Sequence, residues 1–173
     1  MRALLLCFVL FSLAGGDSKF PTREEALSQL IPEAKWSVET VYLSKATRKR
    51  AKELAGSKVS GVVRGYQATS KEGKHLGWAI VDTHRVRAKG ESLMFAVSPE
   101  GKLLGSRVLG FAEPRDYLLP AKWFKQLEGR VLDDQLHLKK GVDGVTGATL
   151  SSRAAVNATR RALALWEVTR ESP

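Results

Sequence analysis

The sequence predicts an α+β fold: an antiparallel sheet meander packed by a C-terminal amphipathic helix and by short helices. Three observations predict it. Alternating apolar stretches follow one another between residues 36 and 111, joined by turn signals and one short helical run, without the crossover units of a parallel sheet. Beyond Phe111 the alternation gives way to short helical segments. Near the C-terminus, Val156, Thr159, Leu163 and Trp166 recur at steps of three and four, the spacing of one helix face.

Taken in order, Thr22-Arg23-Glu24-Glu25 has the form of a capping box, with Glu25 reaching back to Thr22, and Pro32 closes the short helix it opens. Residues 36–43 place Val38, Thr40 and Tyr42 on one face of a strand and Val41 and Leu43 on the other. Ser44 caps a helix that runs to Leu54 and closes at Gly56. Its Lys45, Arg48, Lys49, Arg50 and Lys52 read as a solvated face in preference to a docking patch for an anionic surface. Residues 59–69 and 78–87 flank Lys71-Glu72-Gly73-Lys74 as a long hairpin. Residues 91–97 make the next strand, Pro99-Glu100-Gly101-Lys102 a turn, and 103–111 the returning strand. Glu113-Pro114-Arg115-Asp116-Tyr117 is a loop or first helical turn, 121–127 a short helix stopped by Gly129, and 135–140 the approach to a glycine-containing loop. The last helix, 151–169, covers one face of the sheet, with Arg153, Asn157, Arg160 and Arg161 directed elsewhere.

The N-terminal segment stands apart. Met1-Arg2 is a short basic start, residues 3–13 are a continuous apolar run, and Ala14-Gly15-Gly16 supplies small residues. This is the anatomy of a cleavable signal peptide over residues 1–16, with an uncleaved anchor as the alternative. Residues 17–31 then form a tether and short helix, and 32–170 one domain large enough for a core. Cys7 is the only cysteine and lies in the leader, so the mature chain has no disulfide framework and no thiolate metal site. His75, His84 and His137 lack ligand spacing, and neither haem nor a metal is expected. The 28 Lys and Arg against 18 Asp and Glu leave a net charge of +10, which favours anionic partners. Export to the periplasm argues against nucleic acid as one of them.

The stretch Asp143-Gly144-Val145-Thr146-Gly147-Ala148-Thr149-Leu150-Ser151-Ser152 carries the chemistry. Gly147 and Ala148 put little bulk beside Thr149. The helix that follows offers unpaired N–H groups and the positive end of a dipole, a setting suited to phosphate. The same short hydroxyl side chains also serve a plain helix cap.

These residues resemble the flavinylation motif of the FMN-binding domain family, in which the last threonine of a (Ser/Thr)-Gly-Ala-Thr run carries FMN as a phosphodiester. The resemblance reaches from about Pro32 to Trp166. It includes Gly77-Trp78-Ala79, Ser98-Pro99-Glu100-Gly101-Lys102, Val108-Leu109-Gly110-Phe111 with Glu113, and Trp123 and Phe124 ahead of Gly129. Covalently flavinylated components of the sodium-translocating NADH:quinone oxidoreductase and of the Rnf electron-transport complex belong to this family. The chain departs from both: it has no transmembrane helix if the leader is cleaved, and Glu113-Pro114-Arg115-Asp116-Tyr117 stands where they have Glu-Thr-Pro-Gly-Leu-Gly. It is most similar to a stand-alone exported member.

The resemblance implies that Thr149 is bonded to FMN, with FAD as donor and a separate magnesium-dependent flavin transferase as catalyst. A threonine hydroxyl is a weak nucleophile without a base or metal, and no base is evident beside Thr149, in keeping with modification by another enzyme. Asp143 either orients the loop or serves the transferase, or else it is an Asx-turn or cap residue. Thr146, Ser151 and Ser152 either bond the phosphodiester or cap the helix, and Gly144, Gly147, Ala148 and Leu150 complete the cofactor loop. Trp78, Glu113 and Tyr117, with Tyr66 and Trp123 behind them, are candidates for the surroundings of the flavin ring, although such aromatics more often fill a core. The function implied is an exported electron carrier between a membrane redox complex and a periplasmic or surface acceptor. The alternatives are the flavin-bearing subunit of a separate reductase and a non-redox basic binding module. No substrate pocket is legible, so a carrier is favoured over an independent enzyme.

Overall fold

A computed structural model describes residues 20–170, so the leader expected over residues 1–16 lies outside the described residues. The first element is α1, Arg23–Leu30. Its capping box is present: Thr22 N–H donates to the Glu25 carboxylate at 2.7 Å and Glu25 N–H to Thr22 Oγ1 at 3.2 Å. β1, Lys35–Tyr42, is followed by α2, Lys45–Ala55, which Ser44 caps through Thr47 N–H and Gly56 closes in the left-handed region at φ 69°. The strands β2 (Val62–Thr69), β3 (His75–Arg85), β4 (Gly90–Val97) and β5 (Leu103–Phe111) come next. They are succeeded by a 3-10 turn, Arg115–Tyr117, and by α3, Ala121–Phe124. The helix expected over 121–127 is therefore split: α3 tightens into a 3-10 turn at Lys125–Leu127. α4 spans Thr149–Arg170.

The five strands form one antiparallel sheet in the order β1-β2-β3-β4-β5, the α+β meander that the turn signals predict. Alternation gives each face its own core. On the front, Ile80, Leu93, Phe95 and Val97 pack against Ala155, Val156, Ala162 and Leu163 of α4, with Ala51 and Ala55 of α2 alongside. Burying each of the larger side chains contributes about 1.5–3 kcal/mol. On the back, Ala26 and Leu27 of α1 cover Tyr66, Ala79, Met94 and Ala96. Neither layer covers β1 fully: Val38 in its middle is 55% and Tyr42 at its end 77% exposed. The apolar face read in residues 36–43 thus belongs to an edge strand. Among the described residues, no helix is long and apolar enough to cross a membrane.

α4 corrects one expectation. Arg160 and Arg161 do not turn to solvent: Arg160 is buried and Arg161 half-buried, whereas the expected core residue Trp166 is only half-buried. For Arg160 the cause is enclosure, because its flank of α4 meets α2 and the chain at 133–136 before it meets water, whereas Arg161 turns to Asp82 on β3. Arg161 donates twice to the Asp82 carboxylate, each time at 2.7 Å. His84 bridges Asp82 at 2.8 Å and the fully buried Glu91 at 3.0 Å.

Burial opposes charge on His84, but the bonds to Asp82 and Glu91 prevail and raise it above its ordinary 6.5. Burial likewise disfavours the Asp82 carboxylate, and the bonds from Arg161 and His84 outweigh it, holding Asp82 below 3.8. A raised histidine contributes stability that is complete below the unfolded value of 6.5 and is lost as pH climbs through the folded value. Asp82 acts in the opposite sense, its contribution disappearing as pH falls through its lowered value. Urea unfolding is therefore expected to show a less stable protein at about pH 8.5 than at about pH 6, and His84→Gln to flatten that slope.

Candidate functional site

The site grows from the loop that enters α4. The Ala148 N–H donates to the Val145 carbonyl at 3.0 Å, closing a four-residue turn with Thr146 and Gly147 at its centre. Gly147 sits at φ 83°, where any side chain would be strained. Ala148 is buried and faces the front core. The turn is latched by Ser152, whose hydroxyl accepts from Val145 N–H at 3.1 Å and donates to the Ala148 carbonyl at 3.1 Å. Of the two serines, Ser152 is thus spent on the loop.

Asp143 is fixed through its backbone. Its carbonyl accepts from Trp123 Nε1 at 2.7 Å and Gln126 Nε2 at 3.3 Å, and its N–H donates to Gln126 Oε1 at 2.8 Å. Among the described residues its carboxylate accepts no hydrogen bond, so the Asx-turn reading has no support. Trp123 belongs to this scaffold, packing edge-on against Phe124 with ring centres 5.2 Å apart. It holds the loop up from the core.

Thr149 is the first residue of α4 and not, as expected, two residues ahead of the helix. It is exposed, as are Thr146 and Gly144. The N–H groups of Thr149, Leu150 and Ser151 have no acceptor one turn earlier in the helix, and Ala148 has no side-chain oxygen to offer them. Ser151 Oγ is buried without any hydrogen-bond partner. A buried hydroxyl left alone costs about 1–3 kcal/mol, so this end of the helix is built for an acceptor that the chain itself does not supply.

Thr149 opens into a cleft of about 290 Å³ whose opposite wall is Arg87 and Tyr117. The Arg87 guanidinium stacks over the Tyr117 ring at 4.9 Å from its centre. Behind them, one oxygen of Glu113 accepts from three successive N–H groups, Arg87 at 3.2 Å, Ala88 at 2.7 Å and Lys89 at 2.8 Å. The bonds from Lys89 and Ala88 hold Glu113 below its ordinary 4.5. Glu113 therefore pins the β3–β4 turn that carries Arg87. Glu113→Ala is expected to speed hydrogen exchange of the three amides at least about tenfold, read by NMR, with the rest of the sheet unchanged.

The structure gathers Thr149, Leu150, Ser151, Gly147, Ala148 and Tyr117 at one cleft, with Glu113 behind it. It does not bring in the other three aromatics: Trp123 lies beneath the loop, bonded to the Asp143 carbonyl. Trp78 shares a pocket with Trp166, Thr169 and Arg170, roughly 25 Å along α4 from Thr149. Tyr66 lies on the back of the sheet beneath α1 and Arg23. Sequence reading missed Arg87 and Gln126. Arg87 is one of several cations in Arg85-Val86-Arg87-Ala88-Lys89, and only the fold singles it out.

The geometry meets independent support from comparison with known proteins. A family model described as FMN-binding domain matches residues 90–164, which include β4, β5, the site loop and most of α4. No curated protein matches the chain.

Proposed function

From a chain whose residues 90–164 belong to the FMN-binding domain family, we propose a flavoprotein that carries FMN covalently on Thr149 and relays electrons between a membrane redox system and a periplasmic or surface acceptor. The observation that carries the reading is the buried, unpartnered Ser151 Oγ beside three free N–H groups and an exposed Thr149 hydroxyl. Phosphate oxygens fit that donor set: the helix N-terminus and the Ser151 hydroxyl donate, and Arg87 supplies positive charge from the facing wall. Bound there, FMN supplies one- or two-electron redox chemistry of its own.

Attachment needs a phosphoryl donor. With FAD, the Thr149 Oγ–P bond forms as the pyrophosphate bond breaks, AMP departs, and the threonine proton passes to a base on a separate magnesium-dependent transferase. Asp143, with its carboxylate free at the loop, is placed to serve that enzyme. A bonded flavin cannot be lost by dilution outside the cell, which makes the linkage useful to an exported carrier. The expected leader at residues 1–16 supports export, and the basic surface suits an anionic redox partner. The test is intact mass of the protein produced with flavin transferase and FAD. One added FMN moiety is expected, and an unmodified mass despite an active transferase overturns the reading.

A further inference from the structure

The sheet is forked. β2 and β3 pair from Thr69 and His75 as far as Gly65 and Ile80, and no further. Residues 62–64 continue against β1 alone, and residues 81–85 against β4 alone. A cavity of about 360 Å³ opens between the parted strands. Its lining comes from both faces of the sheet. Val63 and Ile80 belong to the front core, Tyr66 and Val81 to the back, and Asp82 and Arg64 follow by alternation on the front and back. The opening therefore passes through the sheet.

Cations stand at both mouths: Lys58 and Arg161 on the α4 side, Arg23 and Arg64 on the α1 side. Asp82 is the sole acidic residue in the lining, and Arg161 is already committed to it in two bonds of 2.7 Å. Among the described residues, Arg23, Lys58 and Arg64 make no salt bridge. Three unpaired cations around one opening repel each other, and an anion between them relieves that repulsion. Parted strands also leave peptide groups without ladder partners, which an acceptor such as an oxyanion can satisfy.

We propose that the fork binds a small polyvalent oxyanion of the phosphate class, with Arg64 as its main ligand. Arg64 projects from the parted stretch of β2 itself, whereas Arg23 is stacked 5.9 Å above the Tyr66 ring and Lys58 lies on the loop after α2. The site is separate from the Thr149 cleft, since Arg161 lies roughly 18 Å further along α4. Free phosphate and a lipid headgroup present the same chemistry, and they are told apart by titration.

The experiment follows amide resonances of the ¹⁵N-labelled protein with inorganic phosphate, and separately with phosphatidylglycerol vesicles, at constant ionic strength. Saturable shifts at Arg64, Asp82 and Thr83 are expected with phosphate, and Arg64→Gln is expected to weaken them about tenfold while leaving the melting temperature in phosphate-free buffer unchanged or raised. Shifts at Leu150 and Ser151 report the helix terminus as a separate event. A response to vesicles alone assigns the site to a headgroup phosphate. Fork amides unmoved by either probe, or an Arg64→Gln protein that binds as tightly as the parent, overturn the proposal.

Discussion

Thr149→Ala is expected to abolish covalent flavin while leaving the fold intact. The Thr149 side chain is exposed, makes no hydrogen bond among the described residues, and occupies the first position of α4, where alanine is well tolerated. Its removal should change stability by no more than about 0.5 kcal/mol. Flavin loading, by contrast, should fall to nothing, because no other hydroxyl lining the cleft is exposed, and the exposed Thr146 lies outside it. Ser152 is tied to Val145 and Ala148, and Ser151 is buried. Intact mass with and without the transferase reads the outcome, and denatured absorbance confirms it. Ser151→Ala separates holding from bonding: it removes an unsatisfied buried hydroxyl, so the flavin-free protein gains up to about 1 kcal/mol while the loaded one does not. A flavin retained on Thr149→Ala would move the attachment site elsewhere.

Arg160→Ala is expected to cost about 3 kcal/mol or more, the largest loss from any single side chain outside the apolar core. Arg160 donates to four carbonyls: Leu54 at 3.0 Å, Ala55 at 3.3 Å, Asp133 at 2.7 Å and Leu136 at 3.4 Å. The first two lie in the last turn of α2, which lacks intrahelical donors for them, and the guanidinium also suits the negative end of that helix. The other two fix the chain that leads into the site loop. Burial pulls the Arg160 guanidinium below its ordinary range, partly opposed by Asp134 and Asp133. Alanine leaves all four acceptors without their donor and opens a void. Arg160→Lys should recover a fraction, since one ammonium cannot span four carbonyls on two segments. Urea unfolding of the three proteins gives the order, and a loss under about 1 kcal/mol for alanine would show that water replaces the guanidinium without strain.

Much of the fold is legible because its signals are local. Thr22 and Glu25 close a box within one turn of chain, and Ser44 and Gly56 mark both ends of α2. Pro99-Glu100-Gly101-Lys102 reverses the chain between two alternating stretches. The loop around Thr149 is legible for the same reason, being a contiguous run of small and hydroxyl residues. What escapes is decided by distant packing. Arg160 and Arg161 look like the polar side of an amphipathic helix until α2 and residues 133–136 close over Arg160 and Asp82 of β3 captures Arg161. Trp78 and Tyr66 are two residues on a sheet, and composition cannot say which face or which end they occupy. Arg87 is held at the site because Glu113, just past the end of β5, captures its turn.

The position of α4 sets the timing of everything else. Before residues 149–170 are made, the front of the sheet lacks the helix that packs on Phe95, Leu93 and Ile80, and α2 lacks its main neighbour. Under the attachment proposed at Thr149, modification would be gated by completion: a polypeptide interrupted upstream of α4 has neither the helix that covers the front core nor the acceptor alcohol.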